Sequence, residues 1–295
     1  MDPVLITGGT GQVGSAMLRR LREARVAAYA PARDELDLCD EAGIRGFFAR
    51  KPCRAVINCA AYTAVDRAED EQDRADFINA RAPGILAEET ERLGVPLIHL
   101  STDYVFDGTR AEAYAEGDET NPLGVYGRTK LAGELAVRAG NPNHAIVRTA
   151  WVLSAHGANF LNTMLRLCAE RDEVSVVDDQ WGCPTSAKDI AQALYAILSG
   201  LGERGGTWHF VNAGSANWFD LAELVFALAK QSGVKTPALR AISTQDYPTQ
   251  ARRPANSRLS TGLIERDFGV KPRPWQEAVK SIMAEKFPAS LESER

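Results

Sequence analysis

Short, continuously apolar runs alternate along this chain with longer stretches whose apolar positions recur every three to four residues. "PVLITGG" (3–9) reads as a strand running into glycines. "QVGSAMLRRLREA" then reads as a helix, with Val13, Met17, Leu18 and Leu21 on one face. "VAAYAP" predicts a second strand, "EAGIRGFFARK" a helix, and "AVINCAA" a third strand. "DRADFINARAPGILAEETERLG" predicts a long helix with a kink near Pro83. "PLIHLSTDYVF" is the next strand, followed by a polar, turn-rich loop, "GTRAEAYAEGDETNP". "GRTKLAGELAVRA" is a helix again and "HAIVRTAWVL" a strand. Apolar strands alternating with helices imply a parallel sheet covered on both faces. This is the doubly wound, Rossmann-type α/β arrangement, with ligands at the carboxyl ends of the strands.

The alternation weakens after about Ser154. "NFLNTMLRLCAER", "SAKDIAQALYAILSG" and "WFDLAELVFALAKQSG" predict helices, with strand-like "EVSVVDD" and "GTWHFVNAG" between them. A proline-rich, irregular stretch follows, and "PASLESER" reads as a frayed end. The expected organisation is a dinucleotide-binding domain over 1–155, to which 184–213 returns. A smaller mixed α/β domain would take 156–183 and 214–295 and bind the substrate.

Composition adds limits. The 295 residues carry a net charge of −5, which argues against a broad nucleic-acid surface. Five cysteines, odd in number and without a C-x-x-C pair, argue against a disulfide framework or a zinc site. The N-terminus runs straight into a strand, and no apolar run approaches the roughly 18 residues that span a bilayer. The expectation is a cytoplasmic protein with no membrane or nucleic-acid partner.

"GGTGQVG" sets Gly8, Gly11 and Gly14 three residues apart, between the first strand and the first helix. Glycine permits the tight turn, and backbone amides at the helix start then face an anion. In that context the motif points to a dinucleotide pyrophosphate. After the second strand, Arg33 precedes Asp34; an arginine there can accept a 2′-phosphate, which favours NADPH while leaving NADH possible. A solvated loop arginine is the alternative. Asp37 and Leu38 follow, and the small residues Ala60 and Ala61 at the end of the third strand would let a cofactor pack on the backbone.

"VYGRTKLAGE" places Tyr126 and Lys130 at i and i+4, on one helix face. A phenol is a poor acid at neutrality, and a nearby ammonium is expected to lower its pKa. Thr102, ending the strand "LIHLST", could align a substrate carbonyl with the tyrosine. An exposed helix pair is the bland alternative, but the glycine turn and the strand ending in Ser101-Thr102 favour a catalytic trio.

These segments, with "AAYTAVDRAE", "STDYVFDG", "RTAWVL", "DDQWGCPT" and "YPTQARRPANSRL", give the chain a resemblance over nearly its whole length. It resembles the extended short-chain dehydrogenase/reductases, within them the dTDP-4-dehydrorhamnose reductase family. The glycine spacing G-x-x-G-x-x-G suits that group. The resemblance implies reduction of the 4-keto group of dTDP-4-dehydro-6-deoxy-L-mannose to dTDP-L-rhamnose by NAD(P)H. By position it implies Thr102, Tyr126 and Lys130 as catalytic residues. Gly11, Gln12, Val13, Asp37, Leu38, Ala61, Tyr62 and Thr63 would line the cofactor. Thr102, Asp103 and Trp151 would meet the sugar nucleotide. Asn159 and Phe160 could face the sugar, and Arg252 and Arg253 the diphosphate, by the bidentate pairing arginine offers. Trp151 and Phe160 could equally be core. Similar dehydratases carry Thr-Asp-Glu where this chain has Thr102-Asp103-Tyr104, which favours reduction over elimination. A ketoreductase or epimerase of another nucleotide sugar, and an NADP-binding regulatory subunit, are the competing readings. Some relatives form magnesium-bridged dimers through glutamates; Ala16 and Lys188 stand in the corresponding places, so no metal and a monomer or weak homodimer are expected.

Overall fold

The computed structural model describes residues 2–288; the expected frayed end falls mainly on residues 289–295, outside the described residues. The strands are β1 (Val4–Thr7), β2 (Ala28–Tyr29), β3 (Ala55–Asn58), β4 (Leu97–Thr102), β5 (His144–Thr149), β6 (Glu173–Val177), β7 (Gly206–His209) and β8 (Ala238–Ile242), besides pairs of two-residue strands. The main sheet is parallel, in the order β7-β5-β4-β3-β1-β2. The chain leaves β1 towards β2 and returns to β3 on the other side, so the strand order reverses between β1 and β3. That switch point opens a crevice at the carboxyl ends of the strands.

Every residue of β1, β3 and β5 is buried, which explains why these strands are not alternating in sequence. Helices cover both faces. On one lie α1 (Gln12–Glu23) and, after α2 (Glu41–Arg50), α3 (Ala82–Arg92), α4 (Val125–Gly140) and α5 (Phe160–Glu170), the later helix α6 (Ala187–Gly200). Val13, Met17 and Leu21 pack there with Ile190, Leu194 and Ile197. On the other face Ile44 and Phe47 of α2, Ile85 and Leu86 of α3 and Val137 of α4 close over Leu5, Val56 and Ile146.

A second core gathers α5, α7 (Trp218–Gln231) and α9 (Trp275–Lys286), the last following α8 (Gly262–Phe268), against β6. β6 pairs in parallel with β8, a strand the sequence reading did not pick out. Its residues are all exposed or half-buried, so little apolar alternation marks it. The helix distortion expected near Pro83 lies just ahead of it, as a π-turn over Phe77–Arg81. Pro83 has no N–H for the Asn79 carbonyl. Gly133 of α4 packs against that carbonyl: a Cβ there would lie 2.0 Å from it.

Candidate functional site

A cavity of about 1050 Å³ runs along the carboxyl ends of β1, β3, β4 and β5, from Arg33 at one end to Trp218 at the other. The glycine turn forms its floor. Gly8 is left-handed (φ 68°) and a Cβ there would sit 2.7 Å from the Ala60 nitrogen. A Cβ on Gly14 would sit 2.2 Å from the Gly8 carbonyl, which in turn accepts from the Gly11 N–H at 2.9 Å. Gly8, Gly11, Gln12, Val13, Ala60, Ala61 and Thr63 line the cavity; Gly14 lies behind the wall, where it lets α1 approach the turn. No side chain caps the α1 N-terminus and no acid stands in its first turn, leaving its amides and dipole free for an anion.

At the outer end Arg33, Asp37 and Leu38 line the cavity. Arg33 is 3.8 Å from Asp37 and 68% exposed, so this ion pair is weak and the guanidinium is free to turn to a 2′-phosphate. Arg33→Ala is expected to weaken NADPH binding roughly tenfold or more, as loss of a charge-assisted hydrogen bond does, and to leave NADH binding within about twofold. Equal losses for both cofactors in a binding titration would remove Arg33 from the 2′ site.

Deeper in, Thr102 ends β4, and Tyr126 and Lys130 stand on the first two turns of α4. Lys130 is only 2% exposed, so the pair is no surface decoration. Thr102 lies beside Tyr126 and holds the phenol's pKa below where burial alone would put it. Thr102 in turn donates to Asp103 Oδ1 at 2.9 Å. The Tyr104 ring meets Tyr126 edge-on, centroids 5.7 Å apart. The lysine-lowered phenol expected from sequence is not what this site holds. Burial pushes Tyr126 up to about 12, with the Asp103 carboxylate adding to it. Burial also pushes Lys130 down to about 8, against the pull of Glu134. The phenol therefore keeps its proton throughout the neutral range, the state a proton donor needs.

Asp103 is 3% exposed, its Oδ2 makes no hydrogen bond, and burial raises its pKa to about 6. A carboxyl raised above its unfolded value favours the fold most below pH 4 and loses that contribution as pH climbs through 6. Asp103→Asn is thus expected to raise Tm at pH 8 and to change it little at pH 4, at the expense of substrate affinity. Equal effects at both pH values in thermal unfolding would contradict a buried, ionising Asp103.

Trp151 follows β5 with φ 44°, a left-handed conformation that a bulky residue adopts only under constraint. Its indole lies flat on Trp218, centroids 3.4 Å apart at 5°, and a Cβ on Gly182 would come within 2.4 Å of it. Phe160 tilts against Trp218 at 4.7 Å and does not reach the cavity wall. Asn159 is also off the wall: it caps α5 and donates to Gln12 Oε1 at 2.8 Å, tying the glycine turn to the second core. Arg253 pairs with Asp66 at 2.8 Å, and its charge pulls the Tyr104 pKa down against burial. Arg252 is exposed and borders a small crevice beside Tyr104 and Tyr126. Tyr62 turns from the cavity, its backbone N–H donating to Asn79 Oδ1.

A family model described as the RmlD substrate binding domain matches residues 1–287. The chain belongs to the RmlD, or dTDP-4-dehydrorhamnose reductase, family. A dTDP-4-dehydrorhamnose reductase of Sinorhizobium fredii is 41% identical over 94% of this chain and 95% of its own. A solved dTDP-4-dehydrorhamnose reductase of Clostridium acetobutylicum shares 37% identity with a TM-score of 0.91, covering 96% of this chain and 99% of its own. Another, from Bacillus anthracis and in complex with NADP, shares 34% at a TM-score of 0.90, over 97% of this chain and 100% of its own.

Trp218 and Tyr104 line the cavity of this RmlD family member without having been singled out as site residues. Trp218 opens a helix 67 positions beyond Trp151, and only the folded chain brings the two indoles together. Among the described residues of this RmlD family member, no three His, Cys, Asp or Glu side chains gather as a metal site. Nor is any helix long and apolar enough to cross a membrane.

Proposed function

We propose that this chain reduces the 4-keto group of dTDP-4-dehydro-6-deoxy-L-mannose, giving dTDP-L-rhamnose. The observation that carries the reading is Tyr126, Thr102 and Lys130 in one cavity with the glycine turn, in a chain that belongs to the RmlD family. The residues present suit a dinucleotide: the turn would be filled by a Cβ at Gly8 or Gly14, and the α1 amides are uncapped. NADPH bound there would supply the hydride to C4. The Tyr126 hydroxyl gives its proton to O4. Thr102, moving its hydrogen bond from Asp103 to the carbonyl oxygen, aligns that oxygen with the phenol. Lys130 holds ribose hydroxyls and opposes the negative charge that forms on Tyr126. Trp151, backed by Trp218, offers a flat apolar wall to the sugar, and Asp103 accepts from a sugar hydroxyl. Arg252, which borders the small crevice beside Tyr126, would meet the diphosphate.

Two domains, 1–155 with 184–213 and 156–183 with 214–295, are the division we favour, because the cavity lies between the sheet and the second core. Without carboxylates at Ala16 and Lys188 we take the protein to be a monomer or weak homodimer. Five free cysteines suit a reducing cytoplasm.

The test is NADPH absorbance with the purified protein and dTDP-4-dehydro-6-deoxy-L-mannose made in situ. Consumption with dTDP-L-rhamnose as product is expected. Tight NADPH binding without consumption would turn the assignment to another nucleotide sugar or to a regulatory subunit.

A further inference from the structure

Tyr126 stands on the first turn of its helix, where a helix is held least. The first N–H groups of a helix have no carbonyl one turn back to take them. The residue ahead of α4 is Gly124, which has no side chain to do so, and no acid stands in the first turn. Glu134 fastens α4 through Arg148 and Ser101, but beyond Lys130. The first N–H, that of Val125, is nevertheless met: it donates at 2.8 Å to Oε1 of Glu69, a residue 56 positions earlier in the chain. Val125 is only 2% exposed, so water has little access to that N–H. Gly124 leaves the carboxylate its room, since a Cβ there would lie 2.7 Å from the same Oε1.

Glu69 reaches the helix from a fixed base. It closes the short helix Val65–Ala68, its own N–H donating to the Asp66 carbonyl at 3.2 Å. The Asp66 carboxylate accepts from the Ala251 N–H at 3.1 Å and from Arg253 at 2.8 Å. Asp70 accepts from Gln250 at 2.7 Å. Carboxylates on either side of Glu69 thus pin this segment to the stretch that carries Arg252. Glu69 borders the small crevice beside Tyr126 and does not line the large cavity. Its link to the chemistry runs through the Val125 backbone.

We propose that Glu69 is a positioning residue for Tyr126: by taking the Val125 N–H it fixes the first turn of α4, and with it the place of the phenol hydroxyl. Lys130, one turn further on, has its own fastening, Nζ donating to the Leu100 carbonyl at 2.7 Å. Loss of Glu69 therefore displaces the proton donor and spares the residue that holds the ribose. A misplacement of about 1 Å is enough to slow a reaction on the order of a hundredfold. The inference rests on Tyr126 being the acid of the reductase proposed above, and its test has one arm that needs no turnover.

That arm is amide hydrogen exchange on the full chain. The Val125 amide is expected to exchange roughly tenfold faster in Glu69→Ala than in wild type, as loss of a helix cap allows. Glu69→Gln, whose amide oxygen can still accept, should stay near wild type, and the amides beyond Lys130 should not change in either variant. Equal Val125 exchange in wild type and Glu69→Ala would overturn the proposal. The second arm is turnover. Glu69→Ala is expected to lower kcat roughly tenfold while NADPH affinity and the KM of the sugar nucleotide stay within about twofold. Glu69→Gln should restore kcat. In a Tyr126→Phe background Glu69→Ala should slow the reaction no further, because no donor is left to misplace. A comparable further loss in that background, or a Glu69→Gln protein as slow as Glu69→Ala, would overturn the role. A Tyr126→Phe protein as fast as wild type would instead overturn Tyr126 as the acid and this role with it, while the Val125 exchange would still show whether Glu69 holds the helix.

Discussion

Tyr126→Phe is expected to lower kcat roughly 10²–10⁴-fold, the range that a positioned proton donor contributes, and to leave NADPH affinity within a few-fold. The substitution removes one oxygen and keeps the ring on Tyr104. What disappears is the proton source for O4: hydride arriving at C4 leaves an alkoxide that only solvent could then neutralise. The next hydroxyl, Thr102, already gives its proton to Asp103 and is itself an alcohol, too weak an acid to substitute. Because burial holds the Tyr126 proton up to about 12, wild-type activity should not decline below pH 9 through loss of the phenol. Single-turnover NADPH oxidation separates chemistry from product release, and cofactor fluorescence reports binding. A variant within tenfold of wild type in that step would remove Tyr126 as the acid.

The parts of this site that were legible in the sequence are those whose geometry is local. Gly8, Gly11 and Gly14 sit within one turn, and Tyr126 and Lys130 within one helical turn, so spacing alone places them. The central strands β1, β3 and β5 were legible because burial on both faces leaves their middles apolar. β8 was not, since its side chains are exposed or half-buried and its partner β6 lies over 60 residues earlier. The charge state of Tyr126 was misread for a related reason. Spacing shows that an ammonium is near, but burial of the phenol is a tertiary property, and here it prevails. Trp151 and Trp218, or Glu69 and Val125, are ordinary residues until the fold sets them together. Arg252 and Arg253 are adjacent in sequence yet divide: one pairs with Asp66, the other stays on the surface.

Glu134→Ala is expected to destabilise the fold by about 3–5 kcal/mol, the range for breaking a buried ion pair from one side. Glu134 is fully buried on α4, one turn beyond Lys130. One carboxylate oxygen accepts from Ser101 at 2.6 Å and Arg148 at 2.8 Å; the other accepts from Arg148 at 2.7 Å and Arg138 at 3.1 Å. These bonds fasten α4 to β4 and β5, and so fix Tyr126 and Lys130 relative to Thr102. Arg148 is itself only 2% exposed, and beside it lies His209, a neutral ring held far below its usual pKa by burial. Without Glu134 a buried guanidinium loses the carboxylate that meets it directly, which is why the loss should exceed that of an ordinary truncation. The double variant Glu134→Leu with Arg148→Met removes both charges and should recover most of the stability, while Glu134→Gln, which keeps the shape but not the charge, should fall between. Urea unfolding of the four proteins measures this directly. If the double variant is no more stable than Glu134→Ala, the cost lies in packing and not in the stranded charge.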